Sequence, residues 1–163
     1  MKITVLNTGG TFNKRYNPIT GNLEVPKDNI ALDKIIKSCF NVQFEIKNIV
    51  SKDSLDFTQE DRQTILENIQ NSKSDNIIII HGTDTVDLTA KFIEDKVDNK
   101  KIVFTGSMVP MSIDEVEATM NFSQAIGFLN APIENGIYLS MHGVVVEHSK
   151  LKKDRNVGQF LIC

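Results

Sequence analysis

Five short apolar runs, separated by segments of helical periodicity, leave this chain few ways to fold. The runs are 2–7 (KITVLN), 42–50 (VQFEIKNIV), 76–81 (NIIIIH), 101–105 (KIVFT) and 136–141 (GIYLSM), with 143–147 (GVVVE) as a short hairpin partner for the last. Between them, Leu32, Ile35, Ile36 and Cys39 fall at i, i+3, i+4, i+7, as do Phe122, Ala125, Ile126 and Leu129, so each segment has one apolar stripe to lay on a sheet. Val86, Ala90, Ile93 and Val97 line a third helix, and Arg62, Ile65, Leu66 and Ile69 mark a fourth. Thr58-Gln-Glu-Asp61 and Ser112-Ile-Asp-Glu115 read as capping boxes that start two of these helices. The alternation predicts an α/β fold: a mostly parallel sheet flanked by helices in three layers, built as one domain over residues 1–163.

Charge and cysteine usage remove several functional classes. A net charge of -3 offers no basic excess to draw the chain to nucleic acid or an anionic membrane, which leaves small neutral or zwitterionic ligands. The two cysteines, Cys39 and Cys163, form neither a disulfide framework nor a metal-ligand spacing, so no metal and no cofactor are expected. The first apolar run stops at Asn7, too short for a secretory signal, and a cytoplasmic protein is the expectation.

In a parallel sheet the C-terminal strand ends share one edge, and ligands bind in the crevice beyond it. Four polar clusters meet there: NTGGTF (7–12), SKDSLDF (51–57), HGTDTV (81–86) and TGSMVP (105–110). They supply Thr8, Thr11, Ser54, Thr83, Asp84, Thr85 and Ser107, a concentration of hydroxyls around one acid. A phosphate-cradling loop would run at once into a helix, whereas residues 12–27 are rich in Asn, Pro and Gly and read as a long loop or small hairpin over the sheet edge. Hydrolytic chemistry by an activated hydroxyl is the better reading. Its base is left open. His81 ends a buried strand and reads as a packed, hydrogen-bonded residue, and the chain has no G-x-S-x-G elbow to pair with it. The segment 150–155 (KLKKDR) supplies lysines that could serve, although its composition alone suggests a solvated basic turn.

The motifs TGGTF, DSLDFTQED and HGTDT, in that order and each after a predicted strand, resemble those of the bacterial-type L-asparaginases and glutaminase-asparaginases. YNPITGNL, FTGSMVP and GIYLSMHGVVVEHSKLKKDRN are similar to further segments of the same family, and the resemblance extends over essentially the whole chain. It implies the flavodoxin-like fold of the family's N-terminal domain, with the family's second domain absent and the cleft completed within a homo-oligomer.

The resemblance also implies roles. Thr11 would be the nucleophile, assisted by Tyr16 from the loop that follows it; Thr83, Asp84 and Lys153 would form the proton-handling group. Ser54 would bind the substrate α-carboxylate and Asp84 its α-ammonium, with backbone N–H groups around the glycines, Gly10 and Gly82 among them, holding the oxyanion. The implied reaction is hydrolysis of L-asparagine to L-aspartate and ammonia through an acyl-enzyme. A catalytically weak domain that binds an amino acid or a protein partner is the second reading, favoured by the expected loss of the second domain and by Leu55, which stands where a polar residue often contacts the substrate amino group. Glu117-Ala118 likewise replaces a common Asp-Gly pair. The bland readings give Thr8, Thr85 and Ser107 to turn backbone and make Asp84 a helix cap.

Overall fold

The computed structural model describes residues 1–163. Ten strands form in chain order: β1 (Lys2–Gly9), β2 (Arg15–Asn17), β3 (Asn22–Glu24), β4 (Gln43–Lys52), β5 (Asn76–Ile80), β6 (Lys101–Thr105), β7 (Gly136–Met141), β8 (Val144–Glu147), β9 (Leu151–Asp154) and β10 (Gln159–Ile162). The helices are α1 (Ile30–Ile36), α2 (Gln59–Gln70), α3 (Val86–Ile93) and α4 (Glu115–Leu129).

A six-stranded sheet carries the fold, in the order β4-β1-β5-β6-β7-β8. Its first five strands are parallel, and β8 turns back antiparallel on β7. The isoleucine run shows how the layers are built. Ile77 and Ile79 enter one core, with Ile65, Leu66 and Ile69 of α2 and Ala90 and Ile93 of α3. Ile78 and Ile80 enter the opposite core, with Leu32 and Ile35 of α1 and Phe122, Ala125 and Leu129 of α4. Period-two alternation along a strand thus feeds two helical layers, and the expected three-layer α/β fold is present.

Helix ends follow local chemistry. Thr58 caps α2 in a complete capping box with Asp61, as its sequence implied. The second box fails. Ile113 and Asp114 donate their N–H groups to the Pro110 carbonyl, so the chain is still turning at Ser112, and α4 begins after Asp114, which caps Val116 N–H at 2.8 Å. Ser112 Oγ instead donates to the Lys14 carbonyl. Helix α1 ends at Ile36, before Cys39, and α3 ends at Ile93 in a 3-10 turn before Val97.

Two ribbons lie outside the sheet. Residues 12–27 contain the β2–β3 hairpin, and the C-terminal segment forms β9–β10. The basic segment 150–155 is therefore mostly a strand rather than a solvated turn, because Leu151 anchors it in the core at 1% exposure. The apolar tail is not a further strand of the main sheet. It pairs only with β9, burying Phe160 while Leu161 and Ile162 stay exposed. No helix is long and apolar enough to cross a membrane.

Candidate active site

From β1 the chain crosses to β4 on one side and then to β5 on the other, so the strand order reverses between β1 and β5. A crevice opens beyond their C-terminal ends. The loops there touch. Gly10 has φ 69° and ψ -172°, a region open essentially to glycine alone, and a Cβ on it would lie 2.5 Å from Gly82 Cα. A Cβ on Gly82 would in turn meet Ser54 Cβ and Oγ at 2.6 Å. The TGGT, HGTDT and D-S loops are thus stacked through two glycines, and Gly10 N–H donates to the Lys52 carbonyl at 2.9 Å.

Asparagines missed by the motif reading hold the first loop. Asn7 Nδ2 donates to Asn13 Oδ1 at 3.2 Å and to Asn29 Oδ1 at 2.8 Å, while Asn13 Nδ2 donates to Asn7 Oδ1 and to the Gly9 carbonyl, each at 2.8 Å. Asn7 and Asn13 are almost wholly buried, so these amides satisfy one another and fix the turn that presents Thr11. Thr11 and Thr83 then each follow one of the two touching glycines.

Opposite pairs of charge line the crevice. Lys153 Nζ, on β9, donates to Thr83 Oγ1 and to Asp84 Oδ1, each at 2.9 Å. Its side chain is 14% exposed and that of Asp84 26%, so both charges are partly withdrawn from water. Arg155 Nη1 also reaches Asp84 Oδ1 at 3.3 Å, and its Nη2 donates to the Asp84 carbonyl. Thr83, Asp84, Lys153 and Arg155 line a cleft of about 120 Å³ with Leu151 and Phe160. On the other loop, Lys14 pairs with Asp53. Burial alone would raise the Asp53 carboxyl, but the Lys14 ammonium and the Leu55 N–H outweigh it and hold it below its ordinary value; Lys153 adds a longer-range pull.

Ser54 is the odd group in this set. It is 1% exposed, and its Oγ has no hydrogen-bond partner, although a buried hydroxyl normally finds one. A polar atom of a ligand would satisfy it.

The remaining hydroxyls behave as backbone partners: Thr8 Oγ1 donates to the Ile80 carbonyl, Thr85 Oγ1 to that of Ser54 and Ser107 Oγ to that of Val109. Asp84 is not a helix cap. Thr85 occupies that position, without a side-chain capping bond, and the Asp84 carboxylate turns to Lys153. His81 is buried between the Gly82 carbonyl, 2.8 Å from Nδ1, and Thr89 Oγ1, 2.9 Å from Nε2, and burial pushes its pKa down to about 4. It is a neutral structural imidazole. Tyr16 stands apart, 64% exposed on the β2–β3 ribbon beside a separate open recess with Arg15, Asn17 and Glu24. Asp53 and Arg155 went unread in the sequence, where only their polar type and their neighbouring motifs marked them, and Lys14 carried no motif context of its own.

The asparaginase N-terminal family model matches residues 2–157. The chain belongs to the asparaginase family. Similar proteins include the L-asparaginase of Thermococcus kodakarensis, 28% identical over 97% of this chain and 49% of its own length. Escherichia coli L-asparaginase 1 is 31% identical over 76% of this chain and 39% of its own. One subunit of the glutamyl-tRNA(Gln) amidotransferase of Methanococcus maripaludis is 28% identical over 86% of this chain and 35% of its own. The solved structure of the T. kodakarensis asparaginase superposes with a TM-score of 0.87 at 27% identity, covering 99% of this chain and 51% of that one. The chain spans half or less of the length of these curated relatives.

Proposed function

We propose that this domain hydrolyses the side-chain amide of L-asparagine. Thr11 Oγ attacks the amide carbon, and backbone N–H groups of the Thr11 and Gly82 loops stabilise the oxyanion, the Gly10 N–H itself being taken by the Lys52 carbonyl. Collapse of the tetrahedral adduct breaks the C–N bond and releases ammonia, which carries away the proton relayed from Thr11. Water then adds to the acyl-enzyme, the ester bond breaks, and aspartate leaves with Thr11 restored. Thr83 and Lys153 carry the protons in both halves. Ser54 Oγ takes the substrate α-carboxylate and Asp84 the α-ammonium.

The observation that carries this reading is the contact of Lys153 Nζ with both Thr83 Oγ1 and Asp84 Oδ1. A lysine donating to Thr83 Oγ1 occupies that oxygen as an acceptor and leaves the hydroxyl proton directed elsewhere, so proton traffic through Thr83 has a defined direction. The buried, unpartnered Ser54 Oγ adds a binding group in want of a ligand. One relative is named for amido transfer and two for asparaginase activity, so release of an amide nitrogen is the broad half of the proposal and asparagine the narrow half. Tyr16 is proposed to assist only after the β2–β3 ribbon moves, given its exposure.

Ammonia release from asparagine by the purified protein, with Thr11→Ala and Thr83→Ala as controls, tests the reading. Both variants should lose about 10³-fold or more in kcat without loss of fold. Wild-type-like turnover in either would overturn it. We further propose a homo-oligomer that closes the cleft, supported by the exposed Leu161 and Ile162 on the cleft-side ribbon. Sedimentation analysis tests it: a fully active monomer refutes it.

A further inference from the structure

The β7–β8 hairpin turns through His142 (φ 52°) and Gly143 (φ 91°), closed by the Met141–Val144 pair. Positive φ at both central residues is a type I′ turn, best served by Asn-Gly, Asp-Gly or Gly-Gly. Here a histidine takes the first position, and its backbone N–H and both ring nitrogens are engaged. Its N–H donates to Asn121 Oδ1 at 3.0 Å. Its Nε2 lies 3.0 Å from Glu117 Oε1, and its Nδ1 accepts the Phe160 N–H at 3.1 Å. An Nδ1 that accepts leaves the ring proton on Nε2, which donates to Glu117, so the bonding pattern assigns one neutral tautomer. Glu117 is itself anchored, accepting the N–H groups of Met108 and Val109 at 2.8 and 3.0 Å. The Phe160 ring stands edge-on to the imidazole at 5.9 Å.

Phe160 is paired across the ribbon with Lys153. A two-stranded ribbon is only marginally stable by itself and takes its position from its attachments. The chain of contacts therefore runs from α4 through Glu117 and His142 to β10, and across the Phe160–Lys153 pair to Thr83 and Asp84.

We propose that His142 is a positioning residue: its imidazole tethers the β9–β10 ribbon to α4 and so sets where Lys153 meets Thr83 and Asp84. The consequence for turnover rests on the hydrolytic reading above; the tether itself does not. His142→Gly keeps a favourable type I′ turn and removes the ring, so the test is free of turn damage. Backbone amide exchange over residues 151–154 should accelerate about tenfold or more while that of β5 and β6 stays unchanged. With asparagine, kcat should fall about tenfold to 100-fold with KM little altered, the response to a displaced proton-handling group. Added imidazole should restore part of kcat by entering the open recess of about 520 Å³ between Met108, Glu117 and Phe160. Unchanged exchange over residues 151–154 overturns the tether, and an active variant with wild-type kcat overturns the positioning of Lys153 by it. A wild-type protein that releases no ammonia refutes the proposed hydrolysis, and the exchange measurement still decides the tether.

Discussion

A Cβ on Gly10 would sit 2.5 Å from the Cα of Gly82, closer than any side chain can approach a backbone. The two glycines are what allow the loops carrying Thr11 and Thr83 to lie against each other. Gly10→Ala combines that clash with a backbone conformation alanine does not hold, and should cost about 2–4 kcal/mol of stability and nearly all turnover. Urea unfolding with an ammonia assay checks it. Gly21→Ala serves as the contrast, since its Cβ would meet nothing within 4 Å and only the φ penalty of about 1–2 kcal/mol applies.

His81 makes the fold acid-sensitive. Its native pKa near 4 lies below the unfolded value of about 6.5, so the unfolded chain binds a proton that the native one refuses between those pH values. The stability it contributes is complete above about pH 6.5 and is lost progressively as pH falls through 4, amounting to about 3 kcal/mol over the whole span. Unfolding free energies of wild type and His81→Gln between pH 7 and 4.5 should differ in slope by close to one proton. Parallel curves would contradict the burial of a neutral imidazole.

Arg155 and Lys153 both reach Asp84 Oδ1, and Arg155 is 62% exposed. If Asp84 receives the substrate ammonium, the exposed guanidinium competes with it. Arg155→Ala should therefore lower KM for asparagine about two- to fivefold with kcat held, an effect of the size of a surface ion pair and one that fades with added salt. A higher KM would instead make Arg155 a binding residue.

Asparagine should be used in preference to glutamine. If Ser54 and Asp84 fix the α-carbon end as proposed, one added methylene carries the amide past Thr11, and a displacement on the order of an ångström costs about 100-fold in rate. Equal kcat/KM for the two amides would remove Ser54 and Asp84 from the proposed binding roles.

The sheet and its two helical layers were legible because Ile77–Ile80 and the four apolar stripes are periodic in themselves. The Thr58 capping box was legible for the same reason, being complete within four residues. Ser112 misled because the competing Pro110 turn is invisible to a spacing rule. Lys153 was found by resemblance and not by composition, which sees only a basic stretch; its role as a strand residue depends on Leu151 and Phe160 reaching a core made by distant segments. The pairs Lys14–Asp53 and Arg155–Asp84, and the Asn7–Asn13–Asn29 amides, join residues whose encounter the fold alone arranges. Tyr16 shows the opposite case: its motif spacing is read from the sequence, while its 64% exposure on a ribbon outside the sheet is not.

The contact between Lys153 and Thr83 spans 70 residues of chain. A ribosome that has released residues 1–142 has already delivered Thr11, Ser54, Thr83 and Asp84, on strands able to pair among themselves, while Lys153 is still in transit. The growing domain thus passes through an interval in which Thr83 and Asp84 are present while the ribbon wall of their cleft, Lys153 included, is not. Lys153 can reach the cleft only after its own segment has been synthesised, so on this reading amide hydrolysis would begin no earlier than the emergence of that segment, and its onset would mark the docking of the β9–β10 ribbon.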